Sequence, residues 1–300
     1  MRRLSGHEAP GQPPEPPILL ISMLKNIFAL LPLIVLMPVF MLSDGAFAQR
    51  VGTRNLRSFA ELCTNRSNLS SATRRTVDAL LLQANTTDCN RAGQVLGGTR
   101  QINLIGQSIS DLSPLITLSS LRELNLTGND ITDLSPLQSL PNLNILRLDN
   151  NRITDLQPLR SLTRLNELSL VLNPITDISS LRPLTGLTGL YLGENQISDI
   201  TPLASMTRLG ELSLSNNQIR NISPLRNLNN LVTLKLNDNQ IVDLNPLRGL
   251  TNLAFLDLDN NQIRDISPLR SLAFMQNLQL QNNPIPEPRC PFRPATICRF

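Results

Sequence analysis

Eight asparagines stand 22 residues apart, at Asn129, Asn151, Asn173, Asn195, Asn217, Asn239, Asn261 and Asn283. A fixed period of this length restricts the chain to a solenoid, in which each repeat stacks only on its neighbours. Such a stack offers a long ordered surface and no enclosed chemical pocket. Binding is therefore the first function class it points to.

One copy sets the frame. Apolar residues fall at Leu118, Leu121, Leu124, Leu126, Ile131, Leu134 and Leu137, and the cycle restarts at Leu140. The Leu124-x-Leu126 alternation predicts a short strand, with Glu123 and Asn125 facing out. Copies in register continue to Leu278 and Leu280. A degenerate first copy has Ile102, Leu104, Ile109, Leu112 and Leu115, with Gln107 in the asparagine place, which makes nine repeats over 96–285. Where the chain turns inward after each strand, backbone groups lose their ladder partners. An asparagine amide both donates and accepts, so stacked copies can bond the backbone above and below. The other half of the repeat reads Asp133-Leu-Ser-Pro136-Leu137. Its aspartate suits a cap and its proline suits the first turn of a helical piece too brief for a full α-helix. The fold read from this pattern is an α/β repeat solenoid with a parallel concave sheet and a convex side of short 3-10 turns.

The phrase L-x-x-L-x-L-x-x-N-x-I-x-D-L-x-P-L runs from about Leu96 to Ile285. It resembles the 22-residue leucine-rich repeat of bacterial internalins and of a eukaryotic phosphatase-regulator family. The resemblance implies the fold and no particular ligand, because such repeats are carried by binders of many kinds. The chain departs from internalins downstream, with neither an immunoglobulin-like module nor a cell-wall sorting signal before Phe300. Its cysteine-bearing ends are more similar to those of small exported bacterial leucine-rich repeat proteins.

Residues 23–48 read as a secretory signal. Lys25 opens it, an apolar core runs from Ile27 to Leu42, and Ala46-Phe47-Ala48 supplies the small-x-small cleavage site. Residues 1–22, with Pro10, Pro13, Pro14, Pro16 and Pro17, are not a usual signal start and are expected to be an unstructured or non-native extension, with translation expected to start at Met23. Cleavage after Ala48 would make the protein secreted or periplasmic; the alternative is an uncleaved membrane anchor. Residues 49–95 are expected to form a helical cap, with Leu56, Phe59, Ala60 and Cys63 on one helix face and Val77, Leu80, Leu81 and Ala84 on another. Residues 286–300 form an irregular, proline-dense closing cap. All four cysteines, Cys63, Cys89, Cys290 and Cys298, lie outside the repeats. Export favours disulfides, and among the three pairings proximity favours Cys63 with Cys89 and Cys290 with Cys298.

The single histidine, His7, precedes the signal, which removes the usual general base from the mature chain. Zinc is disfavoured by the absence of a C-x-x-C pair, and the convex aspartates have sufficient work as turn caps without calcium. No cofactor, metal or enzymatic activity is expected. Glu123, Glu167 and Glu211 share one strand position in alternate repeats, but an open face supplies no cleft for paired carboxylates. Net charge is +4 and aromatics are only 3%, so a stacking platform for nucleic acid is missing. A convex row of Arg160, Arg182, Arg226, Arg248 and Arg270 is expected to pair with nearby aspartates, or to read a polyanion.

Most outward strand positions are small or polar. Ile145, Arg147, Val171, Leu172 and Tyr191, the only tyrosine, depart from that rule in adjacent repeats and form the candidate contact patch. Lys235, Phe255, Asp257 and Asp259 form a second candidate. The sequence reading is thus an exported, monomeric, non-enzymatic module that binds a protein partner through its concave face. The alternatives are a cell-surface or environmental glycan or polyanion as ligand, or an intracellular scaffold like the phosphatase regulators if the signal is unused.

Overall fold

A computed structural model describes residues 58–300. The extension, the signal segment and Leu56 lie outside the described residues. Strands recur every 22 residues: β1 (Gln101–Asn103), β2 (Glu123–Asn125), β3 (Ile145–Arg147), β4 (Glu167–Ser169), β5 (Gly189–Tyr191), β6 (Glu211–Ser213), β7 (Thr233–Lys235), β8 (Phe255–Asp257) and β9 (Asn277–Gln279). With β10 (Cys298–Arg299) they form one parallel sheet in sequence order. Within β1 to β9, every residue pairs with the one 22 positions on, as Leu168 does with Leu190. The leucines at the strand centres and just beyond each strand are buried, in a core that runs the length of the repeats. Each fully buried leucine contributes roughly 1.5–3 kcal/mol. The leucine-rich repeat solenoid expected from the period is what the chain forms.

The asparagines tie the repeats together. Each side-chain Oδ1 accepts from the backbone N–H of an isoleucine in the preceding repeat at 2.9–3.2 Å. Each Nδ2 donates to a leucine carbonyl of the preceding repeat at 2.8–3.0 Å. It also donates to a carbonyl of its own repeat at 2.8–3.2 Å. The bonding is thus one-sided: the amide serves its own repeat and the one before it, not the one after. Gln107 has no earlier repeat to serve, and its exposed side chain bonds only the Ile105 carbonyl.

The turn just before each asparagine is left-handed. Gly128, Asn150, Leu172, Glu194, Asn216, Asp238, Asn260 and Asn282 have φ between 51° and 72°. Glycine and asparagine tolerate this region, whereas leucine does so at a cost. Leu172 is the only purely aliphatic member of that series and is 51% exposed.

On the convex side, Asp111, Asp133, Asp155, Asp177, Asp199, Asn221, Asp243 and Asp265 each accept the backbone N–H two residues on, at 2.8–2.9 Å. These are Asx turns that lead into 3-10 segments such as Ser135–Ser139, with proline in the first turn. Hydrogen bonds from Ser267 hold the Asp265 carboxyl below its ordinary value.

Three helices close the N-terminal end: α1 (Phe59–Thr64), α2 (Ser71–Gln83) and α3 (Cys89–Gly98). Ser58 and Glu61 form a reciprocal capping box on α1, and Ser70 and Asp88 cap α2 and α3. The helices α1 and α3 are bridged by Cys63–Cys89, and Gly93 lets them approach, since a Cβ there would lie 3.1 Å from that of Ala60. Buried Thr73 and Thr76 of α2 bond the Asp111 carboxylate and carbonyl at 2.6 and 2.7 Å, fixing the cap to the first Asx turn. The α3 helix runs past position 95 and carries buried Leu96 where later repeats place a turn leucine.

The closing segment is less irregular than its prolines imply. After a 3-10 turn at Ala295–Ile297, β10 pairs in parallel with β9, and the Leu280 N–H reaches the Arg299 carbonyl at 2.8 Å. An uncovered β9 edge would leave such groups unpaired, so the tail supplies a partner and Cys290–Cys298 pins it.

Two stability outcomes follow. Asn195→Ala leaves the Ile175 N–H without its partner, while the Leu170 and Leu192 carbonyls keep the amides of Asn173 and Asn217. It should cost about 1–3 kcal/mol in chemical denaturation, the penalty for one orphaned buried donor. Leu172→Asn installs a residue the chain uses at the same turn in other repeats and should stabilise by about 1 kcal/mol; an unchanged or lowered midpoint would contradict the strain.

Candidate functional site

Because each residue sits beside its counterpart 22 positions on, the concave surface is a grid. One row along the sheet holds Ile145, Glu167, Gly189, Glu211, Thr233 and Phe255; the next holds Arg147, Ser169, Tyr191, Ser213, Lys235 and Asp257. Small residues at Ser169, Gly189 and Ser213 flank Tyr191 and leave a depression of about 380 Å³. Its walls include Arg147, Asp149, Glu167, Val171, Glu211 and Lys235.

The tyrosine leans back along its own strand. A Cβ on Gly189 would lie 3.4 Å from the ring and from the hydroxyl, so this glycine makes the space the ring occupies. The hydroxyl donates to Glu211 Oε2 at 2.6 Å. Burial, then the bond and charge of Glu211, push the phenol well above its ordinary value, which keeps it a neutral donor. On the other side, Arg147 pairs with Glu167 at 2.6 Å. Asp149 accepts from Ser169 Oγ and, at 2.8 Å, from the Val171 N–H. The walls are therefore held by cross-repeat bonds before any partner arrives.

The expected patch is only partly assembled. Arg147, Val171 and Tyr191 line the depression, while Ile145 and Leu172 do not. Ile145 is half-buried in the Glu167 row, and Leu172 sits on the left-handed turn at the rim. The surface is also not simply apolar, because Arg147 and Tyr191 are each engaged by a glutamate. Sequence reasoning missed Asp149, Ser169, Gly189 and Ser213. The signal was available: adding or subtracting 22 from Tyr191 names Ser169 and Ser213, and Gly189 lies between Glu167 and Glu211.

The second candidate is a smaller hollow of about 260 Å³, lined by Lys235, Phe255, Asp257, Asn277 and Gln279 among others. Asp259 is not in its wall; its carboxylate accepts from the Gln281 N–H at 2.6 Å. Burial raises the Asp257 and Asp259 carboxyls. Among the described residues, Asn277 Oδ1 is the one buried side-chain oxygen without a hydrogen-bond partner. Lys235 lines both hollows and joins them. The described residues contain no group of three or more histidine, cysteine, aspartate or glutamate side chains placed to hold a metal ion. No helix among them is long and apolar enough to cross a membrane.

The family described as Leucine Rich repeats (2 copies) matches overlapping windows that together span residues 119–271. Among solved structures, internalin C2 of Listeria monocytogenes is similar at 34% identity, over 68% of this chain and 91% of that one, with a TM-score of 0.65. The functional domain of InlJ from Listeria monocytogenes is similar at 26% identity, over 65% of this chain and 47% of that one, with a TM-score of 0.52. A leucine-rich repeat protein of Leptospira interrogans is similar at 26% identity, over 65% of this chain and 57% of that one, with a TM-score of 0.53. No curated protein matches. With its repeats matched from 119 to 271 and its fold shared with internalin C2, the chain belongs to the leucine-rich repeat family.

Proposed function

We propose that this is an exported, monomeric, non-enzymatic binding module that recognises a protein partner through its concave face, at the depression around Tyr191. The observation that carries the reading is the preformed hollow itself. A tyrosine ring and Val171 offer apolar contact, with the Tyr191 hydroxyl tied in advance by Glu211 and the bordering Arg147 by Glu167. Tyrosine and arginine are the side chains that most often dominate interface energetics, and walls already ordered lose little entropy on binding. Leu172, exposed on a turn that disfavours it, supports the same reading, since residues retained in strained backbone cluster at functional sites. Export is supported by the bridges Cys63–Cys89 and Cys290–Cys298, which persist in oxidising spaces.

The experiment presents immobilised protein to the extracellular and envelope fractions of its own host, beside a Leu172→Asp/Tyr191→Ser variant. Serine already stands on both sides of Tyr191, and aspartate already stands at the turn in Asp238, so the variant should keep its fold. A polypeptide retained by the parent and reduced at least about tenfold by the variant, a loss of about 1.4 kcal/mol, is the expected result. Equal retention by both would overturn the assignment of the site. Retention of glycan and no polypeptide would overturn the partner class.

A further inference from the structure

Charge on the repeats is divided between two flanks, and one flank is arginine alone. From the first residue of each 3-10 turn to the residue before the next strand, as in 157–166, 223–232 and 267–276, the repeats carry no aspartate, glutamate or lysine. They do carry Arg160, Arg182, Arg226, Arg248 and Arg270 at a single repeat position. Arg122, Arg164 and Arg208 lie between the turns and the strands of the same flank. All eight are exposed. The acids of the repeats sit elsewhere, on the strands, the turns that follow them and the Asx turns.

The expected pairing of the row with neighbouring aspartates is absent. Among the described residues, the ion pairs join Arg66 to Asp78, Arg147 to Glu167, Arg152 to Asp130 and Arg289 to Glu287, and none of them includes an arginine of this flank. Each Asx-turn aspartate instead accepts the backbone N–H two residues on. Arg226 and Arg248 instead bond within their own turns, to the Ser223 carbonyl and Asn245 Oδ1. The guanidinium groups therefore face solvent without a direct ion pair, although Arg182 acts on Asp199 and Arg248 and Arg270 act on Asp265 from further off. At about 4.8 Å per strand, the file from Arg160 to Arg270 extends about 24 Å or more.

We propose that this flank is a second binding surface, separate from the concave depression, for a linear acidic polysaccharide lying along the solenoid axis. A file of like charges at one repeat position, broken only at Ala204, matches a chain that repeats its anionic groups. Arginine suits the task because its planar fork grips sulfate, phosphate or carboxylate oxygens in pairs. Phe274, beside Arg270, is the one exposed aromatic side chain on this flank among the described residues, so a run of stacking rings for single-stranded nucleic acid is missing.

The test measures retention of the whole chain on immobilised heparin as salt rises, with polygalacturonate and neutral dextran as soluble competitors. Two variants are compared: Arg226→Gln/Arg248→Gln/Arg270→Gln on the flank, and Arg152→Gln/Arg220→Gln/Arg264→Gln off it, which changes net charge equally. The expected result is that the parent is retained beyond physiological salt and displaced by polygalacturonate but not dextran. The flank variant should lose about two to three from the slope of log affinity against log salt, as each lost contact releases fewer counterions, while the other variant stays near the parent. Equal weakening of both variants would reduce the effect to net charge and overturn the proposal. So would failure of the parent to bind at physiological salt, or tighter binding through the same arginines to duplex DNA or phosphatidylglycerol vesicles.

Discussion

The amide of one asparagine per repeat carries this structure. A strand of three residues followed by an inward turn leaves backbone groups in the core that no sheet ladder can reach. A side chain that both donates and accepts, set at a fixed place after the strand, satisfies its own repeat and the one before it. Because the bonds point backwards, each new repeat completes the previous one, and the end that lacks a predecessor can tolerate Gln107. The hydrophobic core supplies most of the free energy; the amides ensure that burying it leaves few polar groups stranded. Both ends need separate treatment for the same reason. At one, Thr73 and Thr76 anchor a helical cap to Asp111; at the other, a two-residue strand covers β9.

A frame fixed by leucine, asparagine, aspartate and proline leaves the outward residues free to vary without cost to the fold. That freedom gives the two exposed faces their different characters. On the concave grid, one large ring among small neighbours makes a hollow, and cross-repeat bonds hold its rim. On the lateral flank, the aspartates bond their own turns and the arginines form no direct ion pair.

The period made the fold, the strand register and the inward leucines legible before any coordinates, because a repeat of 22 leaves little topological choice. The site was legible only in outline. Tyr191, Arg147 and Val171 stood out by type, but Gly189 matters through an absent side chain, and Asp149 through bonds that reach the next repeat. Leu172 stood out as an apolar residue in a slot that is polar in other repeats, and the left-handed backbone at that position was not legible in the sequence. The terminal strand was hidden by its prolines, since edge pairing of so few residues leaves no periodic pattern to find. The arginine flank was visible as a row, yet its lack of direct ion pairs shows only in the side-chain geometry.

Native-state hydrogen exchange on the whole chain tests the central claim most directly. The amides of Ile175, Ile197, Ile219 and Ile241 bond to asparagine side chains rather than to backbone carbonyls. If those side chains are integral to the frame, these amides should exchange only through the same opening as the backbone-bonded amides of Leu192 and Leu214 just beyond the strands, with matching protection. Exchange of the isoleucine amides orders of magnitude faster than the strands would contradict it, and would reduce the asparagines to passengers on a hydrophobic stack.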